Sequence, residues 1–209
     1  METNKIILIY LVLFIFEASV PNIINISNSI IKIGIVRILE TSLIIIIFKF
    51  CHMNLDKIGI IPNKIIFGIK KGLLWSIAFG CIVIIGFILL YLFGINPFKL
   101  ISGKIPETKF DILMLFIVGG IIAPIFEEIF FRGLIYGYIR QWSKILALLI
   151  SSYIFAMQHY GFSQAPITQI IGGIIFAISY EIEKNLIVPI TIHSLGNMAI
   201  FALSILISL

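Results

Sequence analysis

The sequence predicts an all-α fold, a polytopic bundle of about seven (six to eight) transmembrane helices with a four-helix catalytic core at its C-terminal end. Two features of composition indicate a membrane protein. The 209 residues are 60% hydrophobic and 12% charged, whereas a soluble domain carries about a quarter charged residues. The mean hydropathy is +1.16. A third observation is the recurrence of apolar runs near the roughly 20 residues that one span needs.

The individual spans are predicted from the breaks between them, which hold residues that end helices. These breaks are Pro21-Asn22, Asn54 to Asn63, Asn96-Pro97, Gln141 to Lys144, Gly161 to Pro166 and Glu181 to Asn185. The predicted spans are 5–20, 28–50, 70–94, 110–139, 143–159, 166–182 and 187–208. Residues 1–109 would supply N-terminal helices and residues 110–209 the core, within one integrated membrane domain.

Charge and cysteine usage limit the partners of the chain. The net charge is +5, and it comes largely from lysines in predicted loops, which favours contact with anionic membrane lipids over nucleic acid. The lysines of 49–71 fall on the same side as Arg140 and Lys144, which predicts a cytoplasmic N-terminus. Cys51 and Cys81 have no CxxC spacing and indicate neither a disulfide framework nor a thiolate metal site. No feature of the sequence indicates an oligomeric state.

Six polar residues lie within or at the edge of the apolar C-terminal runs. They are Glu127, Glu128, Arg132, His159, His193 and Asn197. Ionisable groups in hydrocarbon survive mainly by facing one another or a water-filled cavity. At ~1.5 Å per helical residue, His159 returns to within about 4 Å of the Glu127 level, whereas His193 lies about 9 Å below it and Asn197 about 3 Å below. We therefore expect one hydrated pocket inside the bilayer.

Four of these residues have the chemistry needed to hydrolyse an amide. The reaction needs a base for water, a proton donor for the leaving amine and donors for the oxyanion. We expect Glu127 to act as base and proton shuttle, and His159 to position or co-activate the water. His193 and Asn197, spaced i,i+4, would donate to the oxyanion.

The remaining acidic residues in apolar runs are interpreted as structural. Glu128 and Arg132 are spaced i,i+4, so they can pair along one helix face and support the Glu127 helix. Glu40 can pair with Arg37 at i,i+3, and Glu17 lies near a helix end.

A metal-dependent site is an open alternative. Two imidazoles, a carboxylate and an open water position form a familiar catalytic zinc set, for which His159, His193 and Glu127 are the candidates. No HExxH motif occurs, and the residues equally permit a reaction without a cofactor. The expectation is therefore no cofactor or a single divalent metal such as Zn²⁺.

Three motifs in this region resemble those of the CPBP family of intramembrane proteases, which includes type II CAAX prenyl endopeptidases and Abi-type bacteriocin-processing proteins. Residues 127–132, Glu-Glu-Ile-Phe-Phe-Arg, match its EExxxR motif. Residues 155–159 resemble its FxxxH motif, and residues 193–197 resemble its HxxxN motif. The resemblance covers about residues 110–209.

The resemblance implies a membrane endopeptidase that acts on a membrane-associated peptide or protein, in peptide maturation, bacteriocin immunity or signalling. By position it implies as working residues Glu127, His159, His193 and Asn197, with Glu128 and Arg132 in support. The family was named for metalloproteases, and a metal-free mechanism is implied for some members.

Two other functions fit the same buried polar cluster. A small transporter or ion channel could use it to relay protons or ions, although no internal repeat is visible in the sequence. A non-catalytic immunity or scaffold protein could use it only to bind a partner.

Overall fold

The computed structural model describes residues 3–101, 105–159 and 167–208, and these residues form an all-helical bundle without strands. The main helices are α1 Thr3–Ile23, α2 Ser29–Phe50, α3 Ile65–Leu92, α4 Lys109–Ile139, α5 Lys144–Gln158, α6 Ile167–Glu183 and α7 Ile187–Ser208. Short 3₁₀ turns occur at Leu55–Ile58, Pro62–Lys64 and Pro97–Leu100. The predicted fold class is confirmed, and each predicted span corresponds to one helix. The predicted break at 161–166 lies outside the described residues.

Side-chain caps set several helix starts. Asn28 accepts hydrogen bonds from the first-turn amides of α2, Thr108 does the same for α4, and Ser143 does so for α5. Such caps satisfy amides that have no partner within the helix. The start of α3 was predicted at residue 70 and lies at Ile65, so Lys70 and Lys71 are inside the helix. A lysine can lie inside an apolar membrane helix because its long aliphatic side chain can carry the ammonium group to the membrane–water interface.

Among residues 3–101, 105–159 and 167–208, four segments are long and apolar enough to cross a membrane by length and composition. They are Asn4–Ile23, Pro62–Leu92, Lys109–Ile139 and Ile187–Ser208. Of the others, α5 and α6 have only 15 and 17 residues. Helix α2 is long enough but carries charged residues, whose cost in hydrocarbon is relieved by pairing.

Arg37 and Glu40 of α2 are paired as predicted. The Nη1 atom of Arg37 donates to Oε2 of Glu40 at 2.5 Å and lies 3.6 Å from Oε2 of Glu17. Glu40 is buried, so this pairing supplies the compensation that a buried charge requires. The structural interpretation of these acids agrees with the contacts.

Helix α7 is held in place by close packing against α3. A Cβ atom added at Gly72 would lie 2.5 Å from Cβ of Thr191, and one added at Gly68 would lie 2.7 Å from Cβ of Ile187. Small residues permit such close approach of helices in lipid. The start of α7 is fixed by the buried Asn185, whose amide donates to the Lys64 carbonyl at 3.0 Å. These contacts position the residues of α7 that face α4.

Helix α4 is not a regular α-helix. Residues Val118–Ile122 and Ile129–Tyr136 form π-helical turns on either side of the α-helical Ala123–Glu128. A π turn closes a hydrogen bond between residues i and i+5 instead of i and i+4, so the side chains that follow point in different directions than in a regular α-helix. Such turns are frequent at functional sites. The acidic pair at 127–128 therefore lies in a short α-helical segment between the two irregular turns. These turns set the directions in which the two side chains leave the helix.

Candidate active site

A buried ion pair lies at the centre of the C-terminal helices. Nη1 of Arg132 donates to Oε1 of Glu128 at 3.0 Å, and both side chains are 0% exposed. The same carboxylate oxygen lies 2.8 Å from Nδ1 of His193. The predicted Glu128–Arg132 pair is present, and it also contacts the imidazole of α7.

The guanidinium of Arg132 is enclosed by aromatic rings and by one backbone carbonyl. Its Nη2 donates to the carbonyl of Gly173 at 3.1 Å. Its Cζ lies 4.6 Å from the ring centre of Phe155 and 5.1 Å from that of Phe176. Cation–π contacts gain strength when the cation is desolvated. Arg132 is thereby rigidly placed, and it holds Glu128 in turn.

His193 has a defined orientation. Its ring stacks on Phe176 with centroids 4.6 Å apart and an interplanar angle of 18°. Because the carboxylate of Glu128 can only accept, Nδ1 of His193 is the donor in their contact. The other ring nitrogen, Nε2, faces Glu127, whose Oε2 is 3.7 Å away. Glu128 therefore selects the tautomer that presents a lone pair at Nε2.

The two neighbouring glutamates have different surroundings. Oε1 of Glu128 bonds to both Arg132 and His193, whereas no hydrogen bond to Glu127 is found among the described residues; the Oε2 atom of each glutamate is buried without a partner there. The side chain of Glu127 is 15% exposed and that of Glu128 is 0% exposed. Glu127 is thus the carboxylate that can exchange a proton with an incoming molecule.

His159 lies at the end of α5, beside the same aromatic cluster. Its Nδ1 donates to the Phe155 carbonyl at 2.9 Å, and both the His159 and the His193 rings contact the Phe155 ring. Within residues 105–159 and 167–208, no hydrogen bond joins His159 to Glu127 or His193. The bond to Phe155 leaves Nε2 of His159 as the atom able to contact water or substrate.

Asn197 lies one turn beyond His193 on α7. Its amide nitrogen donates to the carbonyl of Gly119 at 2.8 Å, within the first π-helical turn of α4. This bond uses one of the two amide hydrogens and ties α7 to α4. Donation to an oxyanion by Asn197 stays a prediction.

The side chains of His193 and Glu127 meet although they start from different helices. The helical rise predicts that His193 lies about 9 Å below the level of Glu127 along the backbone. The Nε2 atom of His193 nevertheless lies 3.7 Å from Oε2 of Glu127, because both side chains are long enough to reach across such an offset.

The candidate metal ligands do not form a ligand set in this arrangement. Over the described part of the chain, no group of three or more His, Cys, Asp or Glu side chains is placed to hold a metal ion. The proposed set of His159, His193 and Glu127 is therefore not gathered around one point, and a metal requirement stays a prediction.

Phe176 of α6, a second aromatic residue of the site besides Phe155, was not predicted from the sequence. Phe176 contacts both His193 and Arg132, and the Gly173 carbonyl accepts from Arg132. The available signal was Gly172-Gly173, a pair of small residues that lets α6 approach its neighbours, with Phe176 one turn further on. A Cβ atom added at Gly173 would lie 3.2 Å from Cβ of Ser152 on α5.

The part of the chain that builds this site matches a known family. Residues 109–199 match the family model described as type II CAAX prenyl endopeptidase Rce1-like. All six candidate residues fall inside that range, and the resemblance inferred from the motifs is confirmed.

Two curated relatives are similar over the same part of the chain. The membrane-embedded CAAX protease MroQ of Staphylococcus aureus (strain USA300) is 38% identical over 106 residues, which are 47% of this chain and 39% of that protein. The UPF0177 protein YxdF of Lactococcus lactis subsp. lactis (strain IL1403) is 39% identical over 79 residues, which are 38% of this chain and 44% of that protein. The aligned regions thus span less than half the length of either relative. No solved structure matches the chain.

Proposed function

We propose, from the match of residues 109–199 to the family model described as type II CAAX prenyl endopeptidase Rce1-like, that this integral membrane protein is an intramembrane endopeptidase. It would hydrolyse a peptide bond in a membrane-associated peptide or protein. The observation that carries the proposal is the buried, unpartnered Oε2 of Glu127, 3.7 Å from Nε2 of an oriented His193. A water molecule that contacts both atoms would donate one hydrogen to Glu127, which acts as the base, and the other to Nε2 of His193.

The proposed reaction begins with proton transfer from water to Glu127. The water oxygen bonds to the carbonyl carbon of the substrate while its proton moves to the Glu127 carboxylate, and Nε2 of His193 accepts a hydrogen bond from the second water hydrogen. The tetrahedral intermediate carries its negative charge on the former carbonyl oxygen. Glu127 then returns its proton to the amine as the carbon–nitrogen bond breaks, so the carboxylate is restored.

The charge of the cluster favours this use of Glu127. Two carboxylates face one guanidinium, so with a neutral His193 the cluster carries one negative charge that is not balanced by Arg132. A buried net charge is unfavourable in a medium of low dielectric constant. Proton uptake by Glu127 makes the cluster neutral, which helps the first chemical step. Glu128 is not available for this role, because its Oε1 already accepts hydrogen bonds from Arg132 and His193.

Asn197 is the oxyanion donor proposed by position; His193, predicted from the sequence as a second donor, is instead assigned as an acceptor from water, because its Nδ1 donates to Glu128. Asn197 keeps a second amide hydrogen besides the one that bonds to Gly119. His159 would position the water or the substrate through Nε2, because its Nδ1 bonds to Phe155. Each preorganised donor to an oxyanion is worth about 2.7–4 kcal/mol of barrier in well-studied hydrolases.

The location, the orientation and the biological setting are proposals as well. We propose a place in a bacterial cell membrane with a cytoplasmic N-terminus, since the lysine-rich loops favour that side. Peptide maturation, bacteriocin immunity and signalling are the proposed settings.

The test compares the membrane peptides of cells that carry the parent chain or Glu127→Gln. We expect peptides to accumulate uncut with Glu127→Gln, as measured by mass spectrometry of peptide termini. Glu107→Gln is the matched control, since Glu107 is exposed in the loop before α4. Identical peptide profiles for the parent and an inserted, folded Glu127→Gln protein would overturn the proposal.

The same variants separate the other functions. A non-catalytic immunity protein predicts full protection of cells by a Glu127→Gln, His193→Ala double variant. A transporter predicts solute flux in liposomes that does not depend on cleavage.

Metal dependence is measured on the purified protein. Activity that survives chelation supports water activation by Glu127 and His193 alone. Activity lost together with stoichiometric zinc supports a site in which His159, His193 and Glu127 come together around the metal.

A further inference from the structure

A polar cavity lies at the other end of α4, away from the candidate active site. It has a volume of about 530 Å³. Its charged lining comes from Lys57, Arg140, Lys144, Glu181 and Lys184. Arg140 follows Glu127 by thirteen positions, which corresponds to about 20 Å along a helix. The cavity is therefore separate from the proposed catalytic centre.

The cavity carries an excess of positive charge around one saturated carboxylate. The Oε1 atom of Glu181 lies 2.9 Å from Nζ of Lys144 and 2.5 Å from Nζ of Lys184, and its Oε2 lies 3.4 Å from Nη1 of Arg140. The hydroxyl of Tyr136 also donates to Oε2, at 2.9 Å. One negative charge thus gathers three cations, which leaves two positive charges uncompensated.

Lys57 adds a further positive charge from a different part of the chain. It lies in the 3₁₀ turn Leu55–Ile58 and lines the cavity. No ion pair to a carboxylate is found for Lys57 among the described residues. Four cationic side chains against one carboxylate give the cavity a net charge of +3, so an anion would complete it.

Aromatic side chains place this cavity at the depth of lipid headgroups. Trp142 is 65% exposed in the turn that joins α4 to α5, and its ring packs against Tyr138 with centroids 4.7 Å apart. Tryptophan and tyrosine are enriched at the membrane–water interface, where the ring meets both apolar and polar surroundings. Basic pockets between transmembrane helices at this level bind phosphate-bearing headgroups.

We propose that the cavity bounded by Lys57, Arg140, Lys144 and Lys184 binds a phosphate group, supplied by the headgroup of an anionic phospholipid. Glu181 holds three of the cations at short range from one another, so the site is organised before the ligand arrives. Lys57 and Lys144 are exposed and can reach the phosphate oxygens. The bound lipid would join the 55–58 turn to the α4–α5 turn and the end of α6.

The test uses Trp142 as a local probe in the full-length chain. The chain has two tryptophans, so Trp75→Phe leaves Trp142 as the only one. The protein is reconstituted in phosphatidylcholine bilayers that contain either brominated phosphatidylglycerol or brominated phosphatidylcholine, both of which quench nearby tryptophan. We expect the phosphatidylglycerol lipid to quench Trp142 at a clearly lower mole fraction.

Two lysine variants and one control test the assignment. We expect the preference for phosphatidylglycerol to fall about fivefold in Lys57→Gln and again in Lys144→Gln, since each surface lysine adds about 1 kcal/mol of attraction to anionic lipid. Lys99→Gln removes an exposed lysine from the Pro97–Leu100 turn and should leave the preference unchanged. If Lys144→Gln does not fold, Lys57→Gln still tests the proposal, because Lys57 has no ion pair there to lose.

Competition with inorganic phosphate identifies the source of the ligand. Inorganic phosphate that leaves the lipid preference intact at constant ionic strength supports a headgroup. Inorganic phosphate that binds, with no preference among lipids, supports the same chemistry with a soluble source. A lipid preference that both lysine variants retain would overturn the proposal. The proposal would also be overturned if phosphatidylglycerol were displaced from the cavity only by an acidic peptide.

Discussion

Replacing Glu128 by glutamine tests the central claim about the site, that one carboxylate holds both Arg132 and His193. The change keeps the shape of the side chain but removes its charge. Arg132 is then buried, at 0% exposure, without the carboxylate that bonds to it. Removing one partner of a buried ion pair typically costs about 3–5 kcal/mol. We expect the free energy of unfolding to fall by about that amount and hydrolysis to fall with it, because His193 loses the acceptor that sets its tautomer.

A double-mutant cycle separates stability from catalysis. Arg132→Met alone leaves Glu128 as the unpaired buried charge, so it should also be destabilising. The double variant Glu128→Gln, Arg132→Met removes both charges, and we expect it to recover about 2–3 kcal/mol relative to the sum of the single losses. Hydrolysis should not recover, since His193 still lacks its carboxylate partner.

The stability assay is reversible unfolding in mixed micelles of increasing dodecyl sulfate content, followed by circular dichroism. Activity is measured on a peptide that accumulates uncut with Glu127→Gln. Glu107→Gln serves as the control for the same chemical change outside the site. A Glu128→Gln protein within 1 kcal/mol of the parent, or strictly additive losses in the cycle, would refute the reasoning.

Three further predictions concern the surroundings of the site. Phe176→Leu removes the ring that stacks on His193; we expect a loss of about 1–2 kcal/mol of stability and a larger relative loss of turnover, measured in the same two assays. Gly72→Val should destabilise the bundle by more than 2 kcal/mol in the unfolding assay, because a Cβ there would lie 2.5 Å from the facing threonine of α7, whereas Gly80→Val on the same helix meets nothing within 4 Å. His159→Ala should lower turnover at least tenfold while the unfolding transition shifts by less than 1 kcal/mol, since its ring is only half-buried.

Each of these has an outcome that counts against it. Equal effects of the valine changes at Gly72 and Gly80 would show that the close contact of α3 with α7 is not what holds α7. Turnover unchanged by His159→Ala would remove this residue from the proposed reaction. A Phe176→Leu protein that loses stability and turnover in equal proportion would indicate a packing role only.

Local chemistry explains why most of the fold was predictable. Apolar run length and the turn residues between runs determine where a membrane helix can begin and end, and all seven predicted spans correspond to helices in the structure. The Glu128–Arg132 pair was predictable for the same reason, because i,i+4 residues meet on one face of a single helix. The late start predicted for α3 shows the limit of such reasoning where Lys70 and Lys71 lie inside a helix.

The sequence by itself determined the helical membrane fold and which six polar residues are candidates for the chemistry. Only the tertiary structure decided how the contacts divide between the adjacent acids: Oε1 of Glu128 bonds to Arg132 and His193, whereas no hydrogen bond to Glu127 is found among the described residues. Neighbouring residues on a helix differ by about 100° in direction. Which of them meets His193 therefore depends on the π-helical turns of α4 and on the packing of α7, both of which are set by contacts between distant parts of the chain.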